Sequence, residues 1–274
     1  MVQQRDREWD TLRTSTGVPT GTLYGCISSL RSLVKRYDPS HVVWFWDHGR
    51  SSYRLSLDPE YKANRTKEPT KNIALKEEFR LVDAFLEHVG IVSYSEVNTE
   101  ADDLIATAAR RWASDDTQVL IVSGDHDVQQ LVNKNVSIHK PSPRGGELLT
   151  LSTIQEMYGF DDPKTLVDLW SLMGDTGDGV KGVPRYGPKN SKKALDAYGS
   201  LQVVVDSKLS EENGKRALLN YELIRLDLDI AQLNLVKEDT VFSKTNYTQE
   251  LTNFLQGYEM ASLVQKSSTQ QFWD

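Results

Sequence analysis

Residues 91–127 read IVSYSEVNTEADDLIATAARRWASDDTQVLIVSGDHD. The stretch predicts a strand over Ile91–Tyr94, a helix over 101–114 and a second strand over Gln118–Val122. Acidic residues fall where the pattern changes. Glu100, Asp102 and Asp103 open the helix, and Asp125 and Asp127 follow the second strand. Strand, helix and strand in succession point to parallel pairing, with helices on the sheet faces.

The same alternation runs upstream. Thr16-Gly17-Val18-Pro19-Thr20-Gly21 is a turn cluster. Apolar residues at Leu23, Ile27, Leu30 and Val34 predict a helix to Tyr37, and His41–Trp46 is a short apolar strand ending at Asp47. Residues 48–70 are basic and loop-like, with Pro59 and Pro69, and residues 72–89 return to helical spacing before Gly90. The expected fold class is therefore α/β: a mainly parallel central sheet flanked by helices. In such sheets ligands bind outside the carboxyl ends of the strands, where Asp47 and Asp125 both fall. Beyond residue 160 the pattern is mostly helical, interrupted by a Gly/Pro-rich stretch from Gly174 to Pro188. Residues 235–274 carry weak helical periodicity and no motif.

The chain has 274 residues, one cysteine (Cys26), six tryptophans and a net charge of −7. That length allows a large domain alone or with a smaller one. A single cysteine builds neither a disulfide framework nor a cysteine-based zinc site, which suits a reducing compartment. Apolar runs such as Val42–Trp46 are too short to span a bilayer, and no secretory segment opens the chain. The expectation is a cytoplasmic protein with no membrane association.

The acidic balance argues at first against nucleic acid, but the charge is concentrated. Eight carboxylates lie in four clusters: Asp47; Glu100, Asp102 and Asp103; Asp125 and Asp127; Asp175 and Asp178. Without them the remainder carries +1. Residues 50–71 hold six basic and three acidic side chains, and residues 181–193 hold five basic ones (Lys181, Arg185, Lys189, Lys192, Lys193) and none acidic. Basic side chains commonly just solvate helix faces. Flanking an acidic centre neutralised by metal, they would instead hold a phosphate backbone.

Each acidic cluster has an ordinary explanation alone. Acids in a first helical turn favour the helix dipole, and Asp-x-Asp after a strand is commonly a solvated turn. Three acids in four residues exceed what capping needs. Glu100 and Asp103 share a face while Asp102 projects differently, a spread that suits one residue bridging two ions. Gly174-Asp175-Thr176-Gly177-Asp178-Gly179 sets two more acids among three glycines. Hard oxygens with no histidine or cysteine cluster point to two Mg²⁺ or Mn²⁺ ions. Two such ions roughly 4 Å apart would activate a water and stabilise the leaving oxygen of an in-line displacement. No Gly-x-x-x-x-Gly-Lys-[Ser/Thr] phosphate loop is present. Of the five histidines, only His126, between two candidate ligands, stands near this chemistry.

Seven strings in order carry a resemblance: Gly17-Val18-Pro19-Thr20-Gly21 with Tyr24-Gly25; Phe45-Trp46-Asp47 with Tyr53-Arg54; Pro59-Glu60-Tyr61-Lys62-Ala63-Asn64-Arg65; Glu100-Ala101-Asp102-Asp103; Ser123-Gly124-Asp125-His126-Asp127; Met173-Gly174-Asp175-Thr176-Gly177-Asp178; and Gly182-Val183-Pro184-Arg185-Tyr186-Gly187-Pro188-Lys189. Over about residues 16–230 the chain resembles the 5′-nuclease (flap endonuclease) family. That family includes the N-terminal nuclease domain of bacterial DNA polymerase I and free-standing phage 5′→3′ exonucleases. The resemblance implies a PIN-like sheet followed by a helical helix–three-turn–helix DNA-binding subdomain. It divides the chain into a nuclease domain (1–160), that subdomain (161–240) and a C-terminal extension (241–274). It assigns Asp47, Glu100 and Asp102 to a first metal site, with Asp103 close by. Asp125, Asp127, Asp175 and Asp178 go to a second site, with Asp102 between. It gives Lys62 and Arg65 contacts around the scissile phosphate and places Arg54 near the active site. DNA contact falls to Lys181, Gly182, Val183, Arg185, Gly187, Lys189, Lys192 and Lys193, with a K⁺ ion often bound among the glycine turns. The implied partners are branched or 5′-ended DNA, RNA–DNA hybrid and a replicative polymerase, in replication or repair, with the protein itself a monomer.

Three departures stand out. The family opens with an apolar strand ending in a metal-binding aspartate, roughly two dozen residues before Pro-Thr-Gly. Here Met1–Trp9 is polar, and only Asp6 and Asp10 are available as stand-ins. The expectation is a chain that starts late, leaving neighbouring strands with unpaired backbone. Arg185-Tyr186 stands where the family has a small or apolar pair, and the segment 66–78 is short, so any arch is small and ordered only on DNA. Three readings follow: an active structure-specific nuclease, a catalytically crippled DNA-junction binding protein of the same fold, and a PIN-like ribonuclease. The helix–three-turn–helix stretch argues against the third.

Overall fold

The computed structural model describes residues 12–64, 69–143, 145–226, 233–244, 248–267 and 272–273. Arg65, Asp6 and Asp10 lie outside the described residues. In chain order the elements are α1 (Gly21–Tyr37), β1 (Val43–Phe45), α2 (Ser52–Leu57), α3 (Pro69–His88), β2 (Val92–Tyr94), α4 (Ala101–Trp112), β3 (Val119–Val122), β4 (Val136–Lys140) and β5 (Glu147–Leu149). There follow α5 (Leu151–Tyr158), α6 (Thr165–Met173), β6 (Gly174–Asp175), β7 (Val180–Lys181), α7 (Pro188–Tyr198), α8 (Leu201–Lys208), α9 (Glu211–Ile224), α10 (Gln249–Gly257) and α11 (Ala261–Ser267).

Two compact units result. One comprises the described residues within Asp47–Thr66 and Ser95–Leu233; the other those within Val2–Trp46, Lys67–Tyr94 and Asn234–Asp274. In the second unit the apolar stripe of α1 (Leu23, Ile27, Leu30, Val34) is buried against Val82, Phe85 and Leu86 of α3 and against Leu251 and Leu255 of α10. α1 stops because Asp38 turns left-handed (φ 46) and returns its N–H to the Val34 carbonyl. β1 and β2 pair in parallel, Val43 opposite Val92.

The first unit holds the other sheet. β3 and β4 are parallel, with Val119 opposite Val136, and β5 returns antiparallel to β4. Ile121, Ile138, Leu149, Leu166 and Trp170 share its core with the apolar faces of α6 and α9. Parallel pairing is thus present in both units.

Two local expectations are corrected. The segment 48–70 is not all loop, because Ser51 caps α2 by accepting the Arg54 N–H (3.4 Å). Six residues are too few for periodicity to register. α3 starts at Pro69 rather than at residue 72, Pro being well tolerated in a first turn; residues 65–68 lie outside the described residues.

β6 and β7 form a two-residue hairpin, Gly174 opposite Lys181 and Asp175 opposite Val180. Its backbones approach so closely that only glycine fits. Gly174 has φ +75, and a Cβ on Gly182 would run into the Met173 carbonyl. Gly182→Ala is expected to destabilise the protein by about 2 kcal/mol or more, seen as a lower urea midpoint. An unchanged midpoint would show that the hairpin can open without cost.

Candidate metal centre and nucleic-acid interface

All the described candidate carboxylates lie in the first unit. α4 begins at Ala101, so Glu100 occupies its N-cap position while Asp102 and Asp103 fall in its first turn. β3 ends at Val122, and Ser123 folds the following turn by accepting the Asp125 N–H (3.1 Å). Asp125 Oδ1 in turn accepts the Asp127 N–H (3.1 Å). In the hairpin turn Asp175 Oδ1 accepts the Gly177 N–H (2.7 Å). Three separate turns therefore deliver acids to one place.

Oxygens of Asp127, Asp175 and Asp178 lie within 4.8 Å of one another, and donor atoms of Asp125, His126 and Asp127 form a second such group. Oδ1 of Asp127 is buried and, among the described residues, has no hydrogen-bond partner. Burial, then the charges of Asp125, Asp175, Asp178 and Asp102, hold the Asp127 carboxyl well above its ordinary range. Asp102 is pushed up to about 7 by burial and by Asp125 and Asp47. Asp47 Oδ1 accepts the Ala101 N–H (2.8 Å). Crowded hard oxygens, one of them orphaned, fit divalent cations.

Two carboxylates are occupied differently. Asp103 gives both oxygens to Arg54, Nη1 at 2.6 Å and Nη2 at 2.9 Å, and both side chains are 1% exposed. Arg54 also donates from Nε to the Leu223 carbonyl (2.7 Å) and from Nη2 to that of Arg225 (3.0 Å). Burial alone would lower the Arg54 pKa; the hydrogen bonds and charge of Asp103 outweigh it, and the net direction is up. The bidentate pair occupies both oxygens of Asp103 and leaves Arg54 no surface for substrate. Glu100 is also engaged. Its Oε2 accepts from Lys62 Nζ (2.7 Å), and its Oε1 from the Ser51 N–H (3.3 Å).

Lys62 stands in the left-handed region (φ 56), its N–H donating to the Asp178 carbonyl (2.9 Å). Its ammonium reaches Asp178 Oδ2 (3.2 Å) as well as Glu100. Tyr61, named in the sequence only as part of a motif, is a site residue too. Its hydroxyl is 3.2 Å from Glu100 Oε2 and 3.3 Å from Asp178 Oδ2. Burial first, then Glu100, drives its pKa upward, so it stays a donor.

The basic stretch runs from β7 into α7. Lys181, Arg185, Lys189 and Lys193 are exposed, and none is paired with a carboxylate among the described residues. Lys192 pairs with Asp196 and lies 4.5 Å over the Phe160 ring. Val183 is buried, its N–H donating to the Leu172 carbonyl (2.8 Å). Gly182 is half-buried and Gly187 exposed. Arg185 holds φ 73, its carbonyl accepting from Asn190 Nδ2 (2.6 Å). That conformation favours glycine, so here an arginine is displayed where the backbone asks for none.

Residues 5–159 match the model of the 5′-3′ exonuclease N-terminal resolvase-like domain, and residues 161–248 that of the 5′-3′ exonuclease C-terminal SAM fold. The chain belongs to the 5′-3′ exonuclease family. It is 30% identical over 257 residues to a 5′-3′ exonuclease of Buchnera aphidicola, covering 88% of this chain and 87% of that one. It is 31% identical to DNA polymerase I of Streptococcus pneumoniae, covering 89% of this chain but 28% of the polymerase. In fold this exonuclease-family chain is similar to a bacteriophage T5 flap endonuclease captured with DNA and metal ions (22% identity, 86% and 89% covered, TM-score 0.62). It is likewise similar to the catalytic core of Rad2 with DNA substrate (16%, 93% and 86%, 0.57). Among the described residues no helix is long and apolar enough to cross a membrane.

Two outcomes test this geometry. Without added metal, a folded-state pKa near 7 for Asp102, against about 3.9 unfolded, means the folded form binds more protons between those values. Stability should fall as pH rises from about 4 to 7, by about 1.4 kcal/mol per unit for each proton so held. Millimolar Mn²⁺ should remove the slope; a slope unchanged by Mn²⁺ would count against a cation centre. Arg54→Met should cost about 3–5 kcal/mol by leaving Asp103 buried and unpaired. The double variant Arg54→Met/Asp103→Leu should recover much of that loss, and no recovery would mean the pair is not the cause.

Proposed function

We propose that this chain hydrolyses phosphodiester bonds of 5′-flap or 5′-ended DNA, using two divalent cations, Mg²⁺ or Mn²⁺. The observation that carries the reading is the convergence of Asp127, Asp175 and Asp178 around an oxygen that has no hydrogen-bond partner among the described residues, bordered by the Lys62 ammonium. Asp125, Asp127, Asp175 and Asp178 would hold one cation and Asp47 and Glu100 the other, with Asp102 between. When bound, the cations supply an acidified attacking water and charge to stabilise the leaving oxygen.

The chain's own residues do the rest. Lys62 is held at the cluster by its left-handed backbone, so its ammonium can turn from Glu100 and Asp178 to a phosphate oxygen gathering charge. Tyr61 ties Glu100 and Asp178 together and limits their rotation. Asp103 and Arg54 act by positioning: their buried pair anchors the first turn of α4 and hence Asp102. Arg65 is assigned the same phosphate region by its place in the Tyr-Lys-Ala-Asn-Arg string. Lys181, Arg185, Lys189 and Lys193, with the backbone of Gly182, Val183 and Gly187, would grip duplex through phosphates, which carry no base identity. Lys192 joins them once released from Asp196. A K⁺ ion in the glycine turns, an RNA–DNA hybrid as alternative substrate, a polymerase partner, a monomeric cytoplasmic protein and the division at residues 160 and 240 complete the proposal.

The test is cleavage of a labelled 5′-flap DNA with Mg²⁺ and with EDTA. Cutting near the branch is expected with Mg²⁺ alone, and Asp127→Ala should reduce it by at least about a hundredfold with flap affinity nearly unchanged. Lys62→Ala should slow cleavage by about a hundredfold and weaken binding far less. Flap binding without any metal-dependent cutting would overturn the nuclease reading in favour of a junction-binding protein. Equal losses of rate and affinity in Lys62→Ala would remove its assigned role.

A further inference from the structure

We infer that His126 is a nitrogen ligand of the cation held by Asp127 and Asp175, so that this site prefers Mn²⁺ over Mg²⁺. The inference rests on the cation centre proposed above and adds a ligand that the carboxylate pattern does not contain.

The position of the ring is the first argument. Nε2 of His126 lies 3.2 Å from Asp127 Oδ1 and 3.9 Å from Asp175 Oδ2. Nδ1 lies 3.6 Å from Asp125 Oδ1. In a six-coordinate divalent site with bonds of about 2.1 Å, neighbouring donors stand about 3 Å apart and opposite donors about 4.2 Å. The 3.2 Å separation matches neighbouring donors, and the 3.9 Å one lies close to the distance of opposite donors. Among the described residues Asp127 Oδ1 has no hydrogen-bond partner, although Nε2 is 3.2 Å away. Nitrogen and oxygen lie side by side rather than along an N–H···O line, as two donors facing a common centre do.

The His126 ring stands edge-on to Trp170, with centroids 4.9 Å apart and planes at 82°. Trp170 is buried in the last turn of α6, and Asp175 follows that helix after the single residue Gly174. One element thus supports the imidazole and delivers a carboxylate partner. Aromatic edge contact costs the ring nothing in hydrogen bonding and leaves Nε2 available. Imidazole suits first-row transition ions, whereas Mg²⁺ takes oxygen. One such nitrogen replacing water tilts a site of hard carboxylates without excluding Mg²⁺.

The test is pulsed electron paramagnetic resonance on the full chain with one equivalent of Mn²⁺, read for ¹⁴N modulation from a bound imidazole. Modulation is expected in the natural protein and absent from both His126→Gln and His126→Phe, the second keeping the aromatic contact with Trp170. Calorimetric titration should show Mn²⁺ affinity reduced about tenfold in both variants and Mg²⁺ affinity changed less than about twofold. Mn²⁺ binding with no ¹⁴N modulation, or with modulation equal in the natural protein and a folded variant, would overturn the inference. Failure of flap cleavage with the modulation present would strike the nuclease reading and leave the nitrogen ligand standing. Cleavage without it would do the reverse.

Discussion

Repulsion among Asp102, Asp125, Asp127, Asp175 and Asp178 is the constraint around which the first unit is built. The charges of the other four all act on Asp127, and Asp102 answers to Asp125 and Asp47 besides. In low dielectric such a group cannot all ionise without a compensating cation. The fold therefore spends structure to hold it. A strand end fixes Asp125 and Asp127, a helix start fixes Asp102, and a glycine hairpin fixes Asp175 and Asp178. The positive charge the chain itself supplies is placed at the margin. Arg54 is committed to Asp103, and Lys62 to Glu100 and Asp178. That leaves the side of Asp127 to be neutralised from outside.

The same constraint explains the glycines. Asp175 and Asp178 reach the cluster only because β6 and β7 run almost in backbone contact, with no room for a Cβ at Gly174 or Gly182. Lys181, the last residue of β7, also begins the basic stretch that ends on α7. One short hairpin thus links the acidic centre to the exposed cations Lys181, Arg185, Lys189 and Lys193. In the proposed reading, a phosphate chain held by the latter would be led toward the former by the hairpin's covalent geometry. The left-handed conformations of Lys62 and Arg185 belong to the same economy, since both display a cation from a backbone that ordinary residues avoid.

Much of the fold was legible in the sequence because it rests on periodicity. Leu23, Ile27, Leu30 and Val34 mark α1 by spacing alone, and the run before Asp125 marks β3. The acids fell at pattern changes, so their placement at strand ends and helix starts could be read directly. Other features had no such signal. α2 is six residues long and held by a serine cap and a buried arginine, so spacing could not reveal it. The second unit is assembled from three stretches far apart in sequence, whose mutual packing no local window records. Spacing put Glu100 and Asp103 on one face of α4 but could not say that Arg54 would take both oxygens of Asp103. Nothing in the spacing of the Tyr-Lys-Ala-Asn-Arg string distinguishes Tyr61, whose hydroxyl lies beside the carboxylates of Glu100 and Asp178.

The measurement that bears most directly on the central claim is anomalous scattering from crystals of this chain soaked in Mn²⁺. The account predicts an ion within about 2.3 Å of oxygens of Asp127 and Asp175, and a second peak on the side of Asp47 and Asp102. A fully soaked crystal with no anomalous peak among these carboxylates, from protein that still cleaves flap DNA, would contradict it.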